Sequence, residues 1–277
     1  MELVQVKNLR KSYADFQLNP FIAVDSLSFT ANAGEVFGLL GPNGAGKTTA
    51  LRILATILQP TSGQAFISNF DVVSQAEMVR CSIGFVSNNT AIYDRMTAWE
   101  MVEFFGRLYR VPLSQLRDRM ETLFSQLQMN DFRESPGATL STGMRQKVSI
   151  ARALIHDPPV LIFDEPTLGL DVLATRSLHR IILSLRDQGK CILFSTHIMR
   201  EVERLCDRVA IMHRGQVLDS GSLPELSSRH GMSDFEELFY HLIVRSEQSM
   251  AKQENRGIWF EDLGLPGIVQ SDVKEGM

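Results

Sequence analysis

The chain has 277 residues, of which 44% are hydrophobic and 22% charged, and its formal net charge is −4. This length suits one large domain or two modest ones, and the mildly acidic balance gives no sign of a nucleic-acid-binding surface. No apolar run reaches the roughly 18 residues of a membrane-spanning helix, and the stretch from Met1 to Lys7 lacks the regions of a signal peptide. The 3 cysteines are widely spaced and odd in number, which excludes a disulfide framework and favours a reduced, cytoplasmic protein.

The first elements in chain order are predicted strands. Clustered or alternating apolar residues predict strands over Leu3 to Val6 and Ala23 to Thr30. The run from Val36 to Leu40 is continuously apolar and ends in a glycine-rich turn, as a fully buried parallel strand does. Leucines at helical spacing then predict a helix over Lys47 to Leu58, which Pro60 terminates.

Later elements extend this pattern. The stretch from Trp99 to Met129 is helical in period, with a break at Val111-Pro112. Two more buried strands are predicted, over Val160 to Phe163 and Cys191 to Ser195, with a helix between them that ends at Gln188-Gly189. Strand, helix and strand in this order indicate a βαβ unit, and therefore an α/β protein with a parallel sheet.

A phosphate-binding loop follows the third predicted strand. Glycines let successive backbone N–H groups point at phosphate oxygens, the helix N-terminus adds its dipole, a lysine reaches the β- and γ-phosphates, and a hydroxyl ligates Mg²⁺. The alternative, a chance glycine-rich turn, does not account for the apolar strand before the loop and the apolar-faced helix after it. The residues that fit the complete Walker A pattern G-x-x-x-x-G-K-[ST] are Gly41, Pro42, Asn43, Gly44, Ala45, Gly46, Lys47 and Thr48, with Thr49 next in the chain.

Two carboxylates end the strand from Val160 to Phe163. Asp164 lies at the carboxyl edge of the predicted parallel sheet, where ligands bind, and is the candidate for holding Mg²⁺. Glu165 is the candidate base for an attacking water, a role worth about 10²–10⁴-fold in rate. A solvated Asp-Glu pair before Pro166 is the simpler alternative, which the phosphate loop upstream disfavours.

Further segments resemble the motifs of the ABC ATPases. Leu140 to Lys147 (L-S-T-G-M-R-Q-K) resembles the family's signature, commonly L-S-G-G-Q, and Asp164 to Asp171 looks like the joined Walker B and D-loop. His197 matches the family's switch histidine, and Tyr13 lies where the family places an aromatic ring against adenine. The resemblance covers roughly residues 2–225.

This resemblance implies a P-loop NTPase fold. It has a RecA-like parallel-sheet core, an N-terminal antiparallel β subdomain and an inserted helical signature subdomain at about 89–149. The expected organisation is an ABC ATPase domain over 1–230, then a C-terminal helix and a flexible tail over 231–277. The segment from Asp234 to Phe239 resembles a short helix of exporter ATPases, and the loosely held tail is expected from Ser246 onward, where Ile258, Trp259 and Phe260 are among the few apolar residues.

The resemblance also implies a composite site for ATP and Mg²⁺, shared between two subunits that close head-to-tail. Glu165 and His197 are the expected catalytic residues. Tyr13 and the loop from Gly41 to Thr49 bind one nucleotide, and the opposite subunit's signature contacts its γ-phosphate. The residues expected from the opposite subunit are Ser141, which begins a helix, Gly143 and the D-loop residue Asp171. The expected metal-site residues are Thr48, Asp164 and Asn88.

Two departures from the family pattern affect these expectations. Asn88 stands where the family has a glutamine, and its amide is one methylene shorter, so we expect it to sense the metal site rather than to contact the ion. In the signature, Thr142 replaces the first glycine and Met144 the glutamine, but Ser141 and Gly143 remain.

The implied function is that of the ATP-binding and hydrolysing subunit of an ABC transporter. Its expected partners are a separately encoded membrane permease and a second ATPase subunit in a homodimer, with no nucleic acid. The stretch from Tyr93 to Thr97 resembles the surface with which the family's ATPases dock on such permeases. The sequences of the motifs resemble those of the sodium-extruding exporter type. The chain is expected on the inner face of the cell membrane. A soluble ABC ATPase of translation or DNA repair is the alternative, and a P-loop kinase of a small metabolite the third possibility.

Overall fold

The structure is a computed structural model that describes residues 1–14, 21–87 and 91–254, with side chains described through Ser249. Asn88 and the tail residues Ile258, Trp259 and Phe260 lie outside these ranges. The strands are β1 (Glu2–Tyr13), β2 (Phe21–Asn32), β3 (Val36–Leu40), β4 (Ser62–Ile67), β5 (Phe70–Asp71), β6 (Ile83–Ser87), β7 (Val160–Asp164), β8 (Cys191–Thr196), β9 (Arg208–His213) and β10 (Gln216–Gly221). The α-helices are α1 (Lys47–Leu54), α2 (Ala76–Ser82), α3 (Ala98–Leu108), α4 (Leu113–Gln126), α5 (Thr142–Leu154), α6 (Val172–Asp187), α7 (Met199–Leu205), α8 (Leu223–His230) and α9 (Phe235–Glu254).

The larger sheet runs in the order β10-β9-β3-β8-β7-β6. Neighbours from β9 to β6 are parallel, and only the β9–β10 pair of this sheet, within the described ranges, is antiparallel. Strands β3 and β7 are buried along their whole length. Alternate residues face two different cores, Val160 and Ile162 on one side and Leu161 and Phe163 on the other. Burial on both faces explains the continuous apolar runs in the sequence, and the predicted parallel sheet is confirmed.

The smaller sheet is antiparallel and contains the N-terminus, in the order β2-β1-β4-β5. Its inner face packs on helix α1 and the larger sheet, and Phe29 of β2 stacks on Phe37 of β3 with ring centroids 4.6 Å apart. The predicted helix over Lys47 to Leu58 is shorter, because α1 ends at Leu54 and Thr56 takes a left-handed φ of 59°. The β subdomain that the resemblance implied is therefore present.

A helical layer packs beside the β6 edge of the larger sheet. The break predicted at Val111-Pro112 separates α3 from α4, with Arg110 at a φ of 57°. Thr97 caps α3 by accepting from the backbone N–H of Glu100 at 3.1 Å, and the Glu100 carboxylate accepts from the Thr97 N–H at 2.8 Å. The side chains that join α3, α4 and α5 into one core include Met101, Val102, Met120, Phe124 and Val148.

The C-terminal helix is longer than the sequence indicates. We expected a loose tail from Ser246, but α9 continues to Glu254. Phe235, Leu238 and Leu242 anchor its first turns against β9 and α8, and Glu247 is buried by polar contacts that apolar periodicity does not register. Within the described part of the chain, no helix combines the length and apolar character needed to cross a bilayer.

Candidate functional site

The phosphate loop joins β3 to α1 at the carboxyl edge of the larger sheet. Gly46 caps α1 with a φ of 99°, and a Cβ atom there would lie 2.2 Å from the carbonyl oxygen of Ala23. A Cβ atom at Gly41 would lie 2.2 Å from the carbonyl oxygen of Met212. The neighbouring backbone therefore admits only glycine at both positions, and the loop is held open with its N–H groups at a helix N-terminus.

Lys47 is buried under this loop. Its Nζ donates to the carbonyl oxygens of Gly41 at 2.7 Å and Pro42 at 3.1 Å, and it lies 3.2 Å from Oε1 of Glu165. A lysine that is only 4% exposed needs such partners, because an unpaired buried ammonium is costly. The contact brings together the phosphate-binding lysine and the candidate base that the sequence predicted.

Thr48, Asp164 and Ser195 form a chain of hydrogen bonds across three elements. Oδ1 of Asp164 accepts from the Thr48 hydroxyl at 3.0 Å and from the Ser195 hydroxyl at 2.8 Å. Asp164 and Ser195 are partners in the parallel register of β7 and β8, which places both at the same edge. A carboxylate beside a hydroxyl at a phosphate site is an oxygen donor set that suits Mg²⁺. The sequence did not indicate a role for Ser195, although this residue lies in β8 only two positions before His197.

Glu165 has a strained backbone, with a φ of 47°. A non-glycine residue in the left-handed region costs about 1–3 kcal/mol and persists only where several contacts fix it. Here the Glu165 N–H donates to the Ser195 hydroxyl at 3.0 Å, and the carboxylate lies 3.2 Å from Lys47 and 3.2 Å from Nδ1 of His197. The carboxylate is thereby aimed at the phosphate loop rather than along the sheet edge.

A second network supports the segment that contains His197. The Thr196 hydroxyl donates to Oε2 of Glu201 at 2.5 Å and accepts from the Ile198 N–H at 3.0 Å. Nε2 of His179 on α6 lies 3.5 Å from Oε1 of Glu201. Burial raises the pKa of Glu201, but its polar contacts with His179, Thr196 and Thr167 outweigh it, so that the pKa is lowered overall. A buried anion therefore fixes the turn on both sides of His197; no sequence signal had indicated it.

A cavity of about 190 Å³ opens beside the phosphate loop. Phe21 contributes to its wall and is 61% exposed, which is unusual for a phenylalanine. Phe21 is paired in register with Tyr13, which is 39% exposed and has the Nζ of Lys11 5.1 Å from its ring centroid. The structure therefore puts two aromatic rings at this end of the β1–β2 pair, whereas the sequence pattern predicts a role for Tyr13 alone. The cavity is lined by Phe21, Ala23, Asn43, Gly44, Ala45, Gly46, Lys47, Thr48, Thr49 and Glu165.

The signature and D-loop residues are separate from that cavity: Ser141 and Asp171 are exposed, Gly143 is half-buried, and none of the three lines it. Ser141 caps α5, its hydroxyl accepting from the Met144 N–H at 3.3 Å, as predicted for a residue that begins a helix. Asp171 caps α6 by accepting from two backbone N–H groups at 2.8 Å. Among the described residues, no hydrogen bond or ion pair joins Ser141, Gly143 or Asp171 to the phosphate loop. Three apolar residues close to Asp171 in the chain have exposed side chains, namely Leu168, Val172 and Leu173.

Comparisons with known proteins agree with this geometry. The family model for ABC transporters matches residues 24–168. The ABC transporter ATP-binding protein NatA of Bacillus subtilis is 44% identical over 80% of this chain and 91% of its own length. The Nod factor export ATP-binding protein I of Ralstonia nicotianae is 36% identical over 86% of this chain and 72% of its own length.

Solved structures show the same fold. The ATP-binding subunit of an ABC transporter superposes with a TM-score of 0.77 at 29% identity, covering 87% of this chain and 99% of that one. The ATP-binding cassette MJ0796, in a dimeric post-hydrolysis state bound to ADP and Pi, gives a TM-score of 0.72 at 26% identity, covering 79% of this chain and 98% of that one. The chain belongs to the ABC transporter family, and it is an ATP-binding subunit that hydrolyses ATP with Mg²⁺ as its metal partner.

Proposed function

We propose that this chain drives a membrane exporter by closing, as a homodimer, over two ATP molecules. The observation that carries the proposal is the separation of two half-sites on one chain. Lys47, Glu165 and His197 converge beside the phosphate loop, while Ser141 and Gly143 lie on an exposed helix start that no described polar contact joins to them. A helix N-terminus without an anion is suited to a phosphate supplied by another molecule.

The residues take distinct roles in this proposal. Backbone N–H groups from Gly41 to Thr49 and the ammonium of Lys47 bind the phosphates. Thr48 and Asp164 would hold Mg²⁺, which would supply positive charge beside the phosphates. Asn88 keeps only the sensing role proposed from the sequence, because it lies outside the described residues.

Hydrolysis needs a base and an orienting group near the γ-phosphate. Glu165 has its backbone fixed by Ser195 and its carboxylate beside His197, so it is placed to take a proton from an attacking water. His197 orients that carboxylate and the terminal phosphate. Tyr13 provides a stacking surface for adenine, and Ser141, Gly143 and Asp171 of the opposite subunit complete the site.

A groove between the larger sheet and the helical layer suits a permease. This docking groove is a cavity of about 200 Å³ whose lining includes Ile57, Phe105 and Arg152. Ile57 of this lining is 56% exposed, and the 46% exposed Phe104 packs edge-on against Phe105 with ring centroids 5.6 Å apart. Arg152 stiffens its wall by stacking over Phe105 at 4.0 Å and donating to the Ala91 carbonyl at 2.7 Å. An apolar groove of this kind takes the apolar face of a helix, here from the cytoplasmic side of a permease.

Export is the direction that the relatives favour. One relative has export in its name, as a Nod factor export ATP-binding protein, and the sequence motifs resemble the sodium-extruding type, so we propose an export substrate of the Na⁺ or drug class. The chain would then act at the inner face of the cell membrane. A soluble ABC ATPase of translation or DNA repair remains the competing function.

The test uses Glu165→Gln, which should bind ATP but release phosphate about 10²–10⁴-fold more slowly than the native chain. With ATP it should accumulate as a dimer by light scattering, and Lys47→Ala under the same conditions should remain monomeric. Native turnover in Glu165→Gln would remove Glu165 as the base, and a monomer at saturating ATP would contradict the closed dimer.

The partner is tested by capture from solubilised native membranes with tagged Glu165→Gln and ATP. A polytopic membrane protein among the captured chains is expected, and ribosomes or repair proteins instead would favour the soluble alternative. Phe104→Glu should lose that membrane protein. Tyr240→Glu is the control, since it changes an exposed aromatic on α9, which packs at the β9–β10 edge of the sheet opposite the docking groove.

A further inference from the structure

The C-terminal helix α9 is attached to the turn between β9 and β10 through one buried carboxylate. Glu247 is 5% exposed. Its Oε1 lies 3.0 Å from Nε2 of His213, and its Oε2 accepts from Nη2 of Arg214 at 2.8 Å. The Ser246 hydroxyl adds a contact of 3.2 Å to Nδ1 of His213. Both carboxylate oxygens of Glu247 are therefore committed to consecutive residues of a single turn.

That turn lies directly against the phosphate loop. The Gly215 N–H donates to the carbonyl oxygen of Ala45 at 3.0 Å, and the Gly215 carbonyl accepts from the Asp25 N–H at 2.8 Å. A Cβ atom at Gly46 would lie 3.4 Å from Cα of Gly215. Arg214 and Gly215 both have left-handed backbones, with φ of 46° and 82°. Glycine adopts this region freely, so the strain falls on Arg214, a non-glycine residue that surrounding contacts must hold.

We propose that Glu247 is a positioning residue for ATP binding, acting through the turn from His213 to Gly215 on the backbone of the phosphate loop. Without the carboxylate, His213 and Arg214 each lose a charged partner, while the backbone hydrogen bond from Gly215 to Ala45 remains. The loop would then sample geometries in which its N–H groups no longer converge on the phosphates. The apolar anchor of α9 at Phe235, Leu238 and Leu242 lies apart from the carboxylate, so the helix can stay docked when the ion pair is removed.

A purely structural role would lower stability without changing nucleotide affinity, and this difference defines the test. We would measure the ATP Kd, KM and kcat of the isolated chain well below the unfolding temperature of each variant. Glu247→Ala should raise Kd and KM about tenfold, equivalent to about 1.4 kcal/mol, and change kcat less. Native Kd and KM alongside a lower Tm would overturn the proposal.

Three further variants make the result specific. Gln248→Ala, at the adjacent and exposed position, should leave Kd, KM and kcat as in the native chain. Glu247→Gln keeps the volume and one acceptor oxygen, so a smaller rise in Kd is expected, and it decides the question if Glu247→Ala does not fold. Arg214→Ala combined with Glu247→Ala should be less than additive in its effect on Kd; full additivity would contradict the route through the turn.

Discussion

The Nζ of Lys47 lies 3.2 Å from Oε1 of Glu165, so the proposed phosphate-binding lysine and the candidate base are paired with each other. A bound triphosphate competes for the same ammonium. Because the backbone of Glu165 is held by Ser195 and its second oxygen lies 3.2 Å from His197, we infer that ATP takes over Lys47 and leaves the carboxylate facing the γ-phosphate. In this way nucleotide binding would itself prepare the base.

Replacing this lysine should weaken nucleotide binding strongly. Lys47→Ala removes the ammonium that reaches the phosphates and leaves Glu165 beside the loop as an unpaired anion, which repels them. We expect the affinity for ATP to fall at least about tenfold, an energy of about 1.4 kcal/mol. The measurement is titration calorimetry with ATP. Lys7→Ala, a change at an exposed position of β1, is the control, and native affinity in Lys47→Ala would discredit the phosphate-loop assignment.

The composite site is tested at the start of α5. Ser141→Arg should abolish turnover and leave ATP binding by the monomer intact, because Ser141 touches no part of the monomer's phosphate loop. This change also removes a helix cap worth about 1 kcal/mol. Ser141→Asp separates the two effects, since aspartate caps equally well and yet places a negative charge where the partner's γ-phosphate would arrive.

Phosphate release and ATP affinity are measured on both variants. Turnover should be lost in each, with a normal Tm for Ser141→Asp. Ser125→Arg, on the exposed side of α4, is the matched control for the added arginine. Full activity in Ser141→Asp would mean that no phosphate approaches this helix and that the two half-sites do not meet.

Phe21 should contribute to adenine binding together with Tyr13. Stacking of a base on an aromatic ring is worth about 1–3 kcal/mol, so Phe21→Ala should weaken ATP binding by up to about a hundredfold. Binding of inorganic triphosphate, which has no base, should be unchanged. Phe21→Tyr keeps an aromatic ring and should retain ATP affinity. Equal losses for ATP and triphosphate would show that Phe21 supports the loop instead of the base.

The parts of the fold that were predictable are those in which one local pattern determines the environment. The runs that begin at Val36 and Val160 are continuously apolar because both faces of the sheet are covered. Each run leads into residues that are predicted to bind the nucleotide or the metal. Pro112 breaks the helical stretch whatever surrounds it. Such features need no knowledge of distant residues, and they were located to within a few positions.

The remaining features depend on contacts between distant segments. Phe21 precedes the strand predicted over Ala23 to Thr30, and its place beside the phosphate loop follows from the pairing of β1 with β2. Ser195 acquires its role only because β8 lies next to β7. The end of α9 was missed because its buried face changes from leucines to Glu247, and a charged residue indicates a solvent-facing position until its partners at His213 and Arg214 are known.

The last prediction concerns acid stability and rests on Glu201. The native fold lowers the pKa of this carboxyl below its ordinary value of 4.5, so its stabilising contribution is complete above about pH 4.5 and is lost as the pH falls through the lowered value. Glu201→Gln should therefore lower Tm most at pH 7, where a loss of about 1–3 kcal/mol is expected from the unsatisfied partners Thr196 and His179. The difference from the native chain should shrink as the pH is taken below 4.5. Glu203→Gln, on the exposed face of the same helix, should leave Tm unchanged both at pH 7 and below pH 4.5. A Tm difference for Glu201→Gln that does not shrink when the pH is taken well below 4.5 would mean that the charge of Glu201 does not hold the turn before His197.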